Sequence, residues 1–238
     1  LGVGMLTRLE RGENRDLMVA AIGPFWDANE TWLVLGIGLL LVAFPVAHGL
    51  ILTQLYLPVA LMLVALILRG VSFEFRAKAP PEHKQRWDHA FFAGSLLTAL
   101  CQGYMLGAYV LGFDQSLAAV LFCLLAALGL VAGYVFVGAC WLIYKVEGDL
   151  QKRAVRWAEV SLWATALAMA IISIATPLLS QRIFDRWFRL PEIIALLPIP
   201  IASATLFVGL AIFLRRPLRA KDELSWVPLA VAGILFAL

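Results

Sequence analysis

The chain has 238 residues, of which 62% are hydrophobic and 15% are charged, and its mean hydropathy is +0.88. Ordinary soluble domains are about 45–50% apolar and about 25% charged. This composition excludes a soluble globular domain and predicts a polytopic membrane protein, with the lipid bilayer as its surroundings and no nucleic acid among its partners.

Apolar runs long enough to span a bilayer follow one another along the chain. They cover residues 27–47, 51–68, 91–111, 117–144, 160–179 and 193–214. A partial run ends near Leu9, another begins at Trp226, and a tight turn at His48 and Gly49 is expected to separate the first two complete runs. Since backbone polar groups must be satisfied internally in lipid, the predicted fold class is all-α, a transmembrane helix bundle.

We expect one integral membrane domain over residues 1–238, with a truncated first and a truncated eighth helix. The last run, 226–238, is 13 residues long. A helix of that length is about 20 Å long, against a hydrocarbon core of about 30 Å. The sequence is therefore interpreted as a fragment of a longer subunit.

Lys and Arg residues divide sharply between alternate connections. All but three of the 19 lie in or beside the connections at about 10–25, 69–89, 145–157 and 215–225; the exceptions are Arg182, Arg186 and Arg189. The positive-inside rule places those four connections in the cytoplasm.

The segment from Ile22 to Trp32 marks the entry into the first complete apolar run. Asp27 stands at the expected N-cap of this helix, and Glu30 follows three residues later, as in a capping box. Trp26 and Trp32 bracket them, as aromatic residues do at a membrane interface. Two interpretations stay open on spacing alone: a capped helix start, or a carboxylate at the mouth of a proton path.

A second unusual stretch runs over residues 69–76, where Arg69, Glu74 and Arg76 alternate with aromatic side chains. One interpretation is a basic helix end, with Glu74 neutralising one arginine. The other is an interface with a partner subunit, and the spacing favours neither.

The centres of the predicted complete spans contain no Asp, Glu, Lys, Arg or His. This absence disfavours an ion-coupled transporter, which needs ionisable groups at that depth, but leaves a transporter of an apolar solute open. Gln102 and Gln54 are the most polar residues in or near the spans, and either is expected to bond to a neighbouring helix.

Haem or metal ligands are not expected in this chain. His48, His83 and His89 lie at turns, loops or helix starts, and Met62, Met105 and Met169 are typical packing residues. Cys101, Cys123 and Cys140 lack metal-type spacing and are interpreted as small buried hydrophobic residues. The prediction is therefore no catalytic residue, no bound cofactor and no metal site here.

Small residues and prolines predict details of helix packing. Gly103 with Gly107, and Gly129 with Gly133, have the spacing that brings helix backbones close together in lipid. Pro58, Pro198 and Pro200 lie inside predicted spans, where kinks are expected.

Several of these stretches together resemble subunit II of the cytochrome bd quinol oxidases. They are residues 1–8, 22–32 and 68–76, and Gly138 to Leu142 followed by Lys145, Glu147-Gly148 and Arg153-Ala154. The resemblance runs in order over essentially the whole chain, and residues 23–32 are its most specific part.

The resemblance implies an architecture and a division of labour. It implies nine helices, as two four-helix bundles with a peripheral helix, of which the ninth is missing here. It implies a heterodimer with a subunit I that carries three haems, of types b and d, and the quinol site. That complex oxidises quinol and reduces dioxygen to water in the bacterial cytoplasmic membrane, in some cases with a small accessory subunit.

The same resemblance assigns roles to particular residues. Asp27 aligns with a carboxylate implicated in proton entry from the cytoplasm, and Glu30 is the second candidate on that path. The remaining candidates have interface or structural roles; they are Trp26, Asn29, Trp32, Arg69, Glu74, Arg76, Gly138 and Trp141. The alternatives are a transporter of an apolar solute and a membrane scaffold without chemistry of its own.

Overall fold

A computed structural model describes residues 1–25, 28–190, 192–216 and 224–237, with the side chains of residues 28–30 outside the description. All regular secondary structure in those ranges is helical, which confirms the all-α prediction. The first helices are α1 (Gly2–Leu6), α2 (Glu13–Ala20), α3 (Ala28–Ala43), α4 (Pro45–Gln54), α5 (Tyr56–Lys78) and α6 (Pro81–Val110). They are followed by α7 (Leu117–Lys145), α8 (Gly148–Leu179), α9 (Gln181–Trp187), α10 (Glu192–Leu196), α11 (Pro198–Leu214) and α12 (Val227–Ala237). Short 3₁₀ turns occur at Thr7–Leu9 and Gly23–Phe25.

Among the described residues, five helical stretches are long and apolar enough to cross a membrane: α5, α6, α7, α8 and residues 192–214. Shorter apolar helices cover residues 31–43 and 227–237. The chain is thus a multi-pass membrane protein, as predicted. The nine-helix arrangement stays a prediction.

The α6–α7 connection shows how the sequence starts a long helix. The Ser116 hydroxyl accepts a hydrogen bond from the Ala119 N–H at 3.2 Å, and so caps α7. The backbone N–H and the hydroxyl of Ser116 both donate to Asp114, and these bonds hold the pKa of that carboxyl below its usual range. The continuous apolar run that follows ends at Lys145, one residue beyond the predicted boundary.

The predicted turn at His48 and Gly49 is wrong, because both residues lie inside α4. The helix is instead interrupted at Phe44, before Pro45, and again at Leu55, three residues before Pro58. Proline has no N–H to donate and disfavours helix in the residue before it. These prolines therefore set the breaks, whereas glycine at position 49 only weakens a helix.

The predicted spans 51–68 and 193–214 are interrupted close to Pro58, Pro198 and Pro200, at Leu55 and at Leu197, so each proline stands at the start of a new helix rather than inside one. Pro58 is the third residue of α5, and Pro198 and Pro200 are the first and third residues of α11. The first-turn N–H groups of a helix have no partner within it, so proline is tolerated there. Pro177, in contrast, does lie inside α8.

Two helices were predicted too short at their basic ends. α5 continues past Leu68 to Lys78, and α6 starts at Pro81 rather than at Phe91. As a result Arg69, which directly follows the predicted span 51–68, lies inside α5. The expected connection at 69–89 is helical except at Ala79 and Pro80.

Close backbone contacts hold the bundle together. A Cβ added to Gly103 in α6 would lie 2.5 Å from the Cα of Ala127 in α7, and one added to Gly2 would lie 1.7 Å from the carbonyl oxygen of Tyr134. Neither position has room for a side chain, so α6 and α1 both pack directly on the α7 backbone. The predicted close approach at Gly103 is confirmed, and Cys101, Cys123 and Cys140 are buried free thiols, as expected.

Candidate functional site: a polar cleft and an ion-pair network

The segment 22–32 is described only in part. Trp26 and Asp27 lie outside the described residues, as do the side chains of Asn29 and Glu30. The capping and proton-path interpretations of Asp27 and Glu30 therefore both remain predictions. The neighbours Phe25 and Trp32 are described, and they define the surroundings of the segment.

A cleft of about 880 Å³ opens beside this segment. Four of the predicted site residues line it together: Trp32 from α3, Arg69 from α5, and Gly138 and Trp141 from α7. Residues from three separate helices thus reach one space. Sequence reasoning selected these residues individually but gave no reason for them to share a cleft.

Trp141 joins α7 to the chain that enters α3. Its indole N–H donates to the carbonyl oxygen of Ala21 at 3.0 Å, and its ring meets Phe25 edge-on, with centroids 5.9 Å apart. The ammonium of Lys145 lies 5.2 Å from the centre of the same ring. Trp141 therefore anchors the 3₁₀ turn that directly precedes residues 26 and 27.

Arg69 is a buried cation in the wall of the cleft. Its side chain is 5% exposed, and its guanidinium carbon lies 5.6 Å from the centre of the Phe91 ring in α6. A Cβ on Gly94 would lie 2.9 Å from the Arg69 backbone nitrogen, so α5 and α6 are in backbone contact here. Buried cations in spans are costly and are functional candidates for that reason.

The basic end of the bundle carries a buried ion-pair network. Arg76 Nε lies 2.5 Å from Asp88 Oδ1, and Arg15 Nη1 lies 2.6 Å from Asp88 Oδ2. Arg76 also reaches Asp16 through Nη2 at 2.6 Å. The side chains of Arg76 and Asp88 are 8% and 9% exposed. The Asp88 carboxylate of α6 thus binds one arginine of α5 and one arginine of α2.

This pairing bears on one interpretation of the 69–76 stretch, in which Glu74 neutralises one of the arginines. For Arg76 the partners are Asp16 and Asp88, and the side chain of Glu74 is exposed. The reason is geometric: successive helical residues point in different directions, so Glu74 and Arg76 lie on different faces of α5.

Further polar contacts tie the chain before α2 to the bundle. The Arg15 Nε donates to the carbonyl oxygens of Thr7, at 3.0 Å, and Glu10, at 2.8 Å. The Glu10 carboxylate lies 2.7 Å from Arg153 Nε in α8. Sequence reasoning missed Glu10, Asp16 and Asp88, because the partners are distant in sequence and no local motif marks them.

Polar side chains also meet deep in the bundle. The Tyr134 hydroxyl of α7 donates to Gln102 Oε1 of α6 at 2.7 Å, which confirms that Gln102 bonds to a neighbouring helix. Both residues line the cleft that contains Arg69. Within the described part of the chain, no group of three His, Cys, Asp or Glu side chains is placed to hold a metal ion.

The fold and the site define a polytopic α-helical membrane protein with a polar cleft and an ion-pair network near its basic end. Comparison with known proteins then gives the family. The sequence matches the family described as cytochrome bd terminal oxidase subunit II over residues 1–238. The chain belongs to this family, which confirms the resemblance seen in the sequence.

Individual relatives of the chain are named as the same subunit. The chain is 31% identical over 229 residues to cytochrome bd ubiquinol oxidase subunit 2 of Bacillus subtilis (strain 168), an overlap of 90% of this chain and 66% of the relative. It is 31% identical over 191 residues to cytochrome bd-I ubiquinol oxidase subunit 2 of Escherichia coli (strain K12), an overlap of 73% and 50%. The chain therefore spans about half to two thirds of the length of these relatives.

Proposed function

We propose that this chain is part of the haem-free subunit II of a cytochrome bd-type quinol oxidase in the bacterial cytoplasmic membrane. The observation that carries this proposal is the family match over all 238 residues. In this proposal a separate subunit I carries haems b and d and oxidises quinol, with or without a small accessory subunit. The present chain stabilises subunit I and supplies part of the proton route for the reduction of dioxygen to water.

The proton route is proposed to start at Asp27, with Glu30 as a second carboxylate. Phe25 and Trp32, which flank these residues in the sequence, both line the cleft together with Arg69. Sixteen basic residues lie in or beside the connections on the same side of the predicted bundle as this segment. The positive-inside rule assigns that side to the cytoplasm. Protons for the reaction would then enter from the cytoplasm.

Asp27→Asn in the full-length complex tests this role. Asparagine caps helices about as well as aspartate, so the variant removes the titratable group and keeps the cap. We expect oxygen reduction and proton uptake to slow by about tenfold or more, the scale of losing a positioned proton-transfer group.

The matched control is Asp149→Asn, which neutralises an exposed carboxylate at the same basic end. It should leave both rates unchanged. If Asp27→Asn assembled with full haem content and kept the rates of the parent complex, Asp27 would be only a helix cap.

A further inference from the structure

Three arginines stand apart from the other basic residues of the chain. Arg182, Arg186 and Arg189 lie in and just after α9, which follows the end of α8. α8 starts at the basic end of the bundle, where Arg153 pairs with Glu10, and its 32 residues correspond to about 48 Å of helix. That length exceeds a hydrocarbon core of about 30 Å. α9 therefore lies at the opposite face of the membrane, which the positive-inside rule assigns to the outside.

The side chains of α9 divide between two faces of the helix. At about 100° per residue, Arg182 and Arg186 lie about 40° apart around the helix axis. Phe184 and Trp187 lie about 60° apart on the opposite face. Phe188 continues the aromatic face, with its ring centre 4.8 Å from that of Phe184. A basic face opposite an aromatic face is the pattern of a helix that lies in the plane of the membrane surface.

Trp187 fixes the orientation of α9 on the bundle. It lines an apolar groove of about 460 Å³ together with Val110 at the end of α6 and Thr176 near the end of α8. Phe184 and Phe188 are 41% and 56% exposed, so their rings are available to lipid. The aromatic face is thus directed towards the bundle and the acyl chains, and the basic face points away from them.

The basic face has charge to offer to a ligand. Within the described part of the chain, none of the guanidinium groups of Arg182, Arg186 and Arg189 lies within 4.0 Å of a carboxylate. The Asp185 carboxylate accepts from the side-chain amide of Gln181, at 3.1 Å, instead. Residues 181–189 contain three arginines and one aspartate, which give a net charge of +2. All three arginine side chains are exposed.

We propose that residues 181–189 form an interfacial helix that binds the anionic headgroups of phospholipids in the outer leaflet. Each guanidinium donates two parallel hydrogen bonds to a phosphate, a geometry that arginine fits better than lysine. A headgroup without an ammonium leaves its phosphate free for this contact, and its net negative charge adds attraction. The aromatic rings lie at the boundary of the acyl chains and hold the helix at that depth.

Hydrogen exchange of residues 181–189 in the full-length complex is the direct test. The complex is placed in nanodiscs of phosphatidylcholine alone, and in nanodiscs of an equimolar mixture of phosphatidylcholine and phosphatidylglycerol. We expect exchange in this segment to slow by about tenfold in the anionic nanodiscs, because each arginine gains from the anionic surface. Added salt should reduce the difference, since exposed charges are screened.

The combined variant Arg182→Gln, Arg186→Gln and Arg189→Gln removes the charge and keeps long polar side chains. The dependence of exchange on phosphatidylglycerol should disappear in this variant. Lysine at the same three positions restores the charge without the planar fork, and should restore most of the dependence.

Asp185→Asn tests the sign of the effect. It raises the net charge of the segment and keeps a side-chain oxygen that can accept from Gln181, so it should slow exchange further in the anionic nanodiscs. Arg156→Gln is the matched control, because Arg156 is an exposed arginine near the other end of α8. It should leave exchange in residues 181–189 at the parental rates.

The proposal would be overturned if exchange in residues 181–189 were the same in both kinds of nanodisc. Equal and strong protection in both, independent of salt, would assign this face to a partner protein instead. The measurement requires no oxidase activity, so it is independent of the proposed function. If no haem-bearing partner accompanied the chain, the same experiment on the full-length subunit alone would decide the lipid site.

Discussion

Arg76 and Asp88 face each other across the short connection between α5 and α6, with Nε 2.5 Å from Oδ1. The same carboxylate binds Arg15, so one buried acid holds two arginines from separate parts of the chain. Removing one partner of a buried pair leaves uncompensated charge, which costs far more than the loss of an exposed pair. Asp88 is therefore the charge on which the basic end of the bundle depends most.

Asp88→Asn should destabilise the folded protein by about 3 kcal/mol. The physical reason is that Arg15 and Arg76 would remain buried without their shared carboxylate. Thermal unfolding of the purified complex, followed by size-exclusion chromatography after heating, measures the change. Asp149→Asn removes an acid whose pair with Lys152 is exposed, and should leave the unfolding midpoint unchanged. Equal midpoints for the Asp88 variant and the parent would contradict the buried network.

Gly103→Ala should also destabilise the bundle. The added Cβ would lie 2.5 Å from the Cα of Ala127, so α6 and α7 must move apart. Overpacking of this kind costs about 1–3 kcal/mol. The same thermal unfolding assay measures the change. Gly209→Ala is the control, because nothing lies within 4 Å of a Cβ at that exposed position of α11. Similar midpoints for both variants would show that α6 and α7 are not in direct contact at Gly103.

Trp141→Phe tests the anchor beside the cleft. The variant keeps an aromatic ring but removes the N–H that donates to Ala21, a bond with an expected net value of about 1 kcal/mol. We expect faster hydrogen exchange in residues 21–25 and little change within α7. Trp157→Phe on α8 is the control, and should leave exchange in residues 21–25 at the parental rate. Unchanged exchange in the Trp141 variant would show that this bond does not hold the turn.

The helices were predictable where the sequence is uniformly apolar. The run 117–144 became α7 almost residue for residue, because nothing in it interrupts the helix and Ser116 caps its start. α5 and α6 were predicted too short because their basic ends are polar. Hydropathy marks the part of a helix in lipid, whereas the helix itself continues through Arg76 and Asp88 once their charges are paired.

The candidate site was predictable only in part. The residues of the 22–32 and 69–76 stretches stood out through their composition, and Trp32, Arg69 and Trp141 do line one cleft. Asp88 had no such signal, since its partner Arg15 is 73 positions away.

The proposal that this chain is part of a haem-free subunit of a bd-type oxidase is tested most directly by purifying the tagged full-length protein after expression with its neighbouring genes, and recording the reduced-minus-oxidised absorption spectrum. We predict a copurifying larger subunit with b- and d-type haem bands, and no haem bands when the tagged subunit is purified alone. A stable, colourless protein without a partner would contradict the account.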